Sequence, residues 1–313
     1  NNFLGNTAAG VAVDLRDDAT AQIDALFNTI QGGSANSDSL TIVLDFVDSS
    51  QGSVTDINNL VVDPFDVTAF GFSTADSALV QNAILQTVQS HYRDIPTTGQ
   101  DPRSPIPDGM ELDINFVLGD TGVAPSNGAT EFYSVVIGEV ADFTPIGLPP
   151  GSLLFGAAGD IGLIRNAAGQ GPGQGLGGVP LANGGAGPGV YTNSIVQISP
   201  ALNPPTADFD PAIDPVFRNL DALGQSALTS GNLTFTRRAV SGTLSHEVGH
   251  ALSLLHILNA GVVTPNGELP IMATGAFDLP VQSRIEPREF ALSGTLAVGG
   301  GIQNNIQQLA DAV

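Results

Sequence analysis

Apolar residues in the first half of the chain recur at helical spacing in two places. The stretch 73–91 (STADSALVQNAILQTVQSH) begins with Ser73 or Thr74 as a capping residue and is followed by Pro96. The apolar side chains that share one face of this helix are Leu79, Ala83, Ile84, Val88 and Tyr92. It is predicted to be the longest helix of this half, and 17–31 (DDATAQIDALFNTIQ) a shorter one that stops at a pair of glycines.

Four other segments are rich in apolar and β-branched residues and predict strands. Residues 39–47 (SLTIVLDFV) are bounded by polar residues, as a buried strand is. Residues 112–118, 134–140 and 190–199 follow, and the last alternates enough to indicate an exposed or edge strand. Strands and helices alternate loosely, so we expect an α+β or α/β fold with a mixed sheet.

Residues 156–189 contain a long glycine-rich run and predict a surface loop. Such a loop is either a plain flexible insertion or a flap over a substrate cleft. No run of apolar residues approaches the length that spans a bilayer, and the first residues lack a basic start followed by an apolar block. We therefore expect a mature or trimmed soluble chain without a membrane span.

The charge is strongly acidic: 31 acidic residues stand against nine basic ones, all of them arginine, for a net charge of −22. Nucleic acid is excluded as a partner, because phosphate binding needs a cationic surface. An acidic surface either keeps a protein soluble at high ionic strength or holds calcium through carboxylates. No EF-hand spacing appears, so calcium ligands are not assigned. Cysteine is absent, which leaves histidine and carboxylates as metal ligands.

Three of the four histidines lie within the eleven residues 246–256. On a helix, His246 and His250 are about 40° apart around the axis and one turn apart along it, so both can reach one ion. Glu247 then lies beside that ion as a candidate base for a bound water. The alternative is a buried helix with two histidines that are hydrogen-bonded within the core.

His256 can join them only if the helix ends early, since an unbroken helix would carry it roughly 15 Å along the axis. The run HEVGHALSLLH (246–256) resembles HExxHxxGxxH, the zinc motif of the metzincin metallopeptidases, with Ser253 in the place of the glycine. Because that glycine leaves the helix through a left-handed conformation, we predict a positive φ at Ser253 or a rearranged turn that still delivers His256.

A second stretch, LPIMATG (269–275), resembles the metzincin Met-turn, whose methionine forms an apolar floor below the metal. Met272 is the corresponding residue, although methionine also serves as ordinary core filling. In some metzincins a tyrosine after this turn assists at the metal, and no tyrosine follows Met272 here. The resemblance is specific over 245–275 only.

The resemblance implies a zincin-like fold with a mixed twisted sheet, a backing helix at 73–91 and an active-site helix. It divides the chain into an N-terminal catalytic subdomain (1–256, with 1–38 as an extension) and a C-terminal subdomain (257–313). The segment 285–298 would supply a C-terminal helix. The strand at 190–199 would be the edge strand along which a peptide lies.

The implied function is a secreted zinc endopeptidase acting on protein or peptide substrates. Zinc held by His246, His250 and His256 leaves a position for water, and Glu247 takes the proton of that water. One rival is a zincin whose third ligand is a carboxylate, for which the candidates are Glu268, Asp278, Glu286 and Glu289. Another is a secreted metal-binding surface module without catalysis. Export follows from the peptidase interpretation and the lysine-free acidic surface.

Overall fold

The computed structural model describes residues 40–93, 114–165, 184–198, 230–265, 267–273 and 288–312. The predicted N-terminal extension (1–38) and the predicted helix at 17–31 lie outside the described residues. The described part is a mixed arrangement of helices around a five-stranded, mostly parallel sheet, which is compatible with the expected α+β class.

The central sheet has the strand order β4-β1-β5-β7-β6. Its strands are β1 (Leu40–Phe46), β4 (Ile114–Leu118), β5 (Phe132–Gly138), β6 (Gly156–Ala157) and β7 (Ala186–Tyr191). The first four in that order are parallel, and the two-residue β6 pairs antiparallel with β7. Every residue of β1 and of β5 is buried, as expected of central parallel strands covered on both faces.

In the described residues four helices accompany the sheet: α1 (Ser77–Arg93), α2 (Thr192–Ile198), α3 (Ser230–Ala251) and α4 (Asn305–Ala312). The predicted helix at 73–91 is confirmed, with a 3₁₀ turn at Thr74–Asp76 before α1. The Ser73 backbone N–H and hydroxyl both donate to Asp76 Oδ2, at 2.9 and 2.6 Å. These bonds satisfy donors that a helix start would otherwise leave unpaired.

The two faces of the sheet have different cover. On one face, α1 and α3 pack on alternate residues of the strands, including Ile42, Phe116, Val135 and Val190. On the other, a hairpin of β2 (Val54–Thr55) and β3 (Val61–Val62) joins a smaller cluster. That cluster consists of Val47, Leu60, Val62, Val136, Val140, Phe143 and Tyr191. His246 and His250 lie on α3, which packs against the first of these faces.

The prediction of a strand at 190–199 is wrong beyond Tyr191, because Thr192–Ile198 is helix α2. Asn193 explains the change: its side-chain amide accepts from Val140 N at 3.1 Å and donates to Val140 O at 2.8 Å. These tertiary bonds fix the first turn of α2 and override the strand preference of the β-branched residues. Strand β7 is also not an edge strand, because it lies between β5 and β6.

The predicted loop at 156–189 is wrong at both ends, where residues 156–157 and 186–189 form β6 and part of β7. Residues 166–183 lie outside the described residues. Glycine in β7 serves close packing: a Cβ atom on Gly189 would lie 2.7 Å from the Tyr191 hydroxyl oxygen. Some of the glycines that predicted a loop therefore lie in a strand, where a larger side chain would collide with its neighbours.

The C-terminal helix is Asn305–Ala312, so the prediction of a helix at 285–298 is wrong. Instead, β9 (Arg288–Glu289) pairs with β8 (Leu269–Pro270), and β10 (Gly294–Thr295) with β11 (Ile302–Gln303). Positive φ angles at Gly299 (85°) and Gly300 (67°) close the β10–β11 hairpin. Segments after His256 share the main core, since Phe290, Ile306 and Leu309 belong to the same buried cluster as the sheet.

Within the described ranges, none of the helices combines the length and the apolar character needed to cross a membrane.

Candidate metal centre

His246 and His250 lie one turn apart near the end of α3, and a backbone carbonyl fixes each ring. His246 Nδ1 lies 2.7 Å from Ile271 O, and His250 Nδ1 lies 2.7 Å from Leu254 O. A carbonyl oxygen only accepts, so each Nδ1 carries the hydrogen and each Nε2 keeps a free lone pair. A hydrogen bond from the other ring nitrogen to a backbone carbonyl is a common way of orienting metal-ligating imidazoles.

Helix α3 ends at Ala251 in a left-handed turn centred on Ser253, whose φ is 74°. Ser253 N donates to His250 O at 2.9 Å, and Leu254 N donates to Gly249 O at 2.8 Å. These two bonds form a Schellman motif, in which glycine is the usual left-handed residue. The predicted positive φ at Ser253 is confirmed, and the turn brings both Leu254 O and His256 back to the metal-site face of α3.

The three Nε2 atoms meet in a nearly equilateral triangle. Their separations are 3.0 Å for His246–His256, 3.1 Å for His250–His246 and 3.1 Å for His250–His256. His246 and His250 both present bare lone pairs, so their contact is not a hydrogen bond, and a cation between them would offset the repulsion of the lone pairs. Tetrahedral zinc with Zn–N bonds of about 2.0–2.1 Å places ligand nitrogens about 3.3 Å apart, close to this triangle. The three histidines can therefore hold a metal ion.

All three rings are held in the neutral form that binds metal. Burial, followed by the charge of His250, lowers the pKa of His246 well below its usual 6.5. Burial, together with the charge of His256, lowers the pKa of His250 to about 4. Partial desolvation also lowers the pKa of His256, the most exposed of the three rings. Protons therefore compete weakly with a metal ion near pH 7.

Glu247 is 7% exposed and lies against the edge strand β6. A Cβ atom on Gly156 would stand 2.7 Å from Glu247 Cγ and 2.8 Å from Oε1, so only glycine lets the strand backbone come this close. Glu247 follows His246 directly in the sequence, yet the group of candidate ligands in the described residues comprises only the three imidazoles. Its side chain lies between α3 and strand β6.

Met272 is fully buried in a turn after β8, in which Ala273 N donates to Pro270 O at 3.3 Å. A Cβ atom on Gly249 would lie 2.6 Å from Met272 Sδ, so the sulfur packs directly on α3 between the two histidine turns. Met272 O accepts from Ile257 N at 3.0 Å, and its neighbour Ile271 holds the His246 ring. The turn thus supports the histidines both by packing and by hydrogen bonds.

Of the carboxylates considered as a third ligand, Glu268 and Glu289 are not part of this group. Glu289 Oε1 accepts from Glu268 N at 3.0 Å. Asp278 and Glu286 lie outside the described residues. The fourth histidine, His91 on α1, bonds through Nδ1 to Ser245 Oγ at 2.8 Å and supports α3 from behind. In the described part of the chain, the histidine triangle is the one group of three or more such side chains suited to a metal.

One supporting segment, residues 162–165, was not predicted from the sequence. Gly162 N donates to His250 O at 2.8 Å, and Ile164 N donates to Ala251 O at 3.0 Å. The Ser253 hydroxyl donates to Arg165 O at 2.9 Å. The segment thus pairs carbonyls that a helix C-terminus leaves open. The segment adjoins the glycine-rich run and was therefore assigned to the loop. The apolar pair Leu163 and Ile164, both buried, is the sequence signal that could have identified it.

Replacing Ser253 is expected to separate backbone strain from the hydroxyl bond. Ser253→Gly relieves a left-handed conformation worth roughly 1–2 kcal/mol and loses a hydrogen bond worth about 0.5–1.5 kcal/mol. Its free energy of unfolding should therefore stay within about 1 kcal/mol of wild type, with metal retained. Ser253→Ala keeps the strain and loses the bond, so it should be less stable than the glycine variant. Urea unfolding measures both, and an alanine variant as stable as Ser253→Gly would contradict this account.

No model of a known protein family matches the chain, and no curated protein matches it.

Proposed function

We propose that this protein is a zinc-dependent endopeptidase of the metzincin type. The proposal rests chiefly on the Nε2 triangle, in which two lone pairs with fixed tautomers face each other and a third imidazole completes the ligand set. Three neutral imidazoles with one open position are the ligand set of catalytic rather than structural zinc. Glu247 beside this set favours hydrolysis, because a purely structural site needs no base there.

Within this proposal each residue of the site has a separate role. His246, His250 and His256 would hold zinc, which when bound would lower the pKa of a water towards about 7 and polarise the scissile carbonyl. Glu247 takes a proton from the attacking water and returns it to the leaving amine. The carbonyls of Ile271 and Leu254 keep two of the rings oriented. Glu247 is largely buried, and its side chain packs against the backbone of β6 at Gly156.

The substrate in this proposal is an extended peptide paired with β6. That strand is antiparallel to β7, and no described strand lies beyond it in the sheet order. It also touches Glu247 through Gly156, so a peptide added to this edge would pass in front of the base. Pairing through main-chain hydrogen bonds is a common way to hold extended peptides. The zincin-like fold and export from the cell are parts of the same proposal.

The same experiment distinguishes this function from two others. A carboxylate-liganded zincin is less favoured, because His256 already lies within 3.1 Å of both other histidines. A metal-binding module without catalysis would keep the triangle and would have no use for Glu247.

The deciding measurement combines metal content with cleavage. The purified protein should contain about one zinc ion per chain and cleave casein, and a chelator should stop the cleavage until zinc is restored. Zinc without cleavage of any unfolded protein would favour the non-catalytic module. Cleavage that survives complete removal of the metal would contradict the proposal outright.

A further inference from the structure

A buried polar cluster lies on the opposite side of β6 from Glu247. It consists of Asp56 and Asn58, from the loop between β2 and β3, and Tyr191 at the end of β7. Asp56 is 4% exposed, and Tyr191 is fully buried. Buried polar groups are costly unless they are paired, so a cluster of three at a sheet edge calls for a reason.

The Asp56 carboxylate is the centre of this cluster. Its Oδ1 accepts from the backbone N–H groups of Asn58 and Leu60, both at 2.9 Å. Its Oδ2 accepts from the Tyr191 hydroxyl at 2.6 Å and from Asn58 Nδ2 at 3.2 Å. Burial, and then the negative charge of Asp56, raises the pKa of Tyr191 far above its usual value, so the hydroxyl remains a donor. Four donors around one carboxylate make the loop rigid.

The cluster is fastened to β6 itself. Asn58 Nδ2 also donates to Ala157 O at 3.1 Å, and Tyr191 N donates to Phe155 O at 2.8 Å. Across the ladder from Ala157 stands Gly189, where a Cβ atom would lie 2.7 Å from the Tyr191 hydroxyl oxygen. Glycine at that position leaves the space in which the carboxylate and the hydroxyl meet.

Strand β6 needs such support, because a two-residue edge strand has few ladder bonds of its own. Alternate residues of a strand point to opposite faces. Gly156 faces Glu247, whereas Ala157 packs on the smaller cluster that contains Tyr191. Movement of β6 would therefore change the packing of its backbone against the Glu247 side chain.

We infer that Asp56, Asn58 and Tyr191 form a positioning unit that fixes strand β6 against Glu247 and so holds the base at the metal site. The three residues do not touch the substrate or the metal ligands in this role. The inference rests on the proposed peptidase function.

Asp56→Asn and Tyr191→Phe test the unit. In Asp56→Asn the amide oxygen should take the place of Oδ1, because two backbone N–H groups donate there. The amide nitrogen would then replace Oδ2 and face Asn58 Nδ2, so that two hydrogen-bond donors oppose each other. Loss of a supporting partner typically costs about 10- to 100-fold, so kcat for casein-derived peptides should fall by that factor in each variant, with zinc content unchanged. Because the residues act as one unit, the double variant should be little worse than either single one.

Tyr133→Phe is the matched control. Tyr133 is also a buried tyrosine of the same sheet whose hydroxyl donates to a carboxylate, Glu131 Oε1, at 3.2 Å. It should lose comparable stability and keep wild-type kcat. Should Asp56→Asn fail to fold, Asn58→Ala removes the bond to Ala157 O from a less buried residue and should lower kcat in the same way.

The outcomes separate the two proposals. If the wild type cleaves and all three cluster variants keep a kcat within about twofold of Tyr133→Phe, the positioning unit is wrong and the peptidase function stands. A rise in KM alone, with kcat unchanged, would likewise overturn the unit. If the zinc-loaded wild type cleaves no peptide, the proposed function fails and the inference falls with it.

Discussion

Glu247→Gln is expected to abolish peptide cleavage while the protein still binds zinc. The amide keeps the size of the side chain against Gly156 but cannot take a proton from water. Loss of a general base costs about 10²- to 10⁴-fold, so kcat should fall by at least a hundredfold. The candidate ligand set contains only the three imidazoles, so zinc content and zinc affinity should match wild type. Both are measured on one preparation, by elemental analysis and by hydrolysis of a fluorogenic peptide.

Glu289→Gln is the matched control, since Glu289 is an acid of the same region whose Oε1 accepts from Glu268 N. It should retain activity. Full activity in Glu247→Gln would exclude Glu247 as the base, whereas loss of zinc in this variant would identify the carboxylate as a ligand.

Removal of the metal is expected to lower thermal stability strongly. Without a cation, the Nε2 atoms of His246 and His250 face each other at 3.1 Å with two lone pairs and no hydrogen between them. A ligand present at a thousand times its Kd stabilises the folded state by about 4 kcal/mol. For a chain of this size that corresponds to a fall in Tm of roughly 6 °C on chelation. Differential scanning calorimetry at several zinc concentrations measures it.

His256→Ala provides the comparison, because His256 is the exposed member of the triangle and its removal opens no cavity in the core. Its Tm should respond only weakly to zinc, whereas Glu247→Gln should show the full wild-type response. An unchanged Tm after verified removal of metal from the wild type would contradict a metal centre at this position.

The local sequence determined the elements whose side chains follow a single period. The helical spacing in 73–91 and the apolar run at 39–47 sufficed for α1 and β1, because one buried face dictates each pattern. The spacing of His246 and His250 placed both rings on one side of α3. Even the left-handed turn at Ser253 followed from the sequence, since His256 can approach them only if the helix ends there.

Tertiary contacts decided what those patterns left open. Residues 192–198 became a helix because Asn193 bonds to Val140, a partner more than fifty positions away. Among the described strands the edge strand is β6 rather than 190–199, because residues 156–157 pair with residues 189–190 and cover that side of β7. The hydrogen bond between Tyr191 and Asp56 could not be predicted from local sequence either, because it joins distant segments. Local periodicity reports which face is buried, whereas the identity of the neighbour on that face is set only when the chain folds.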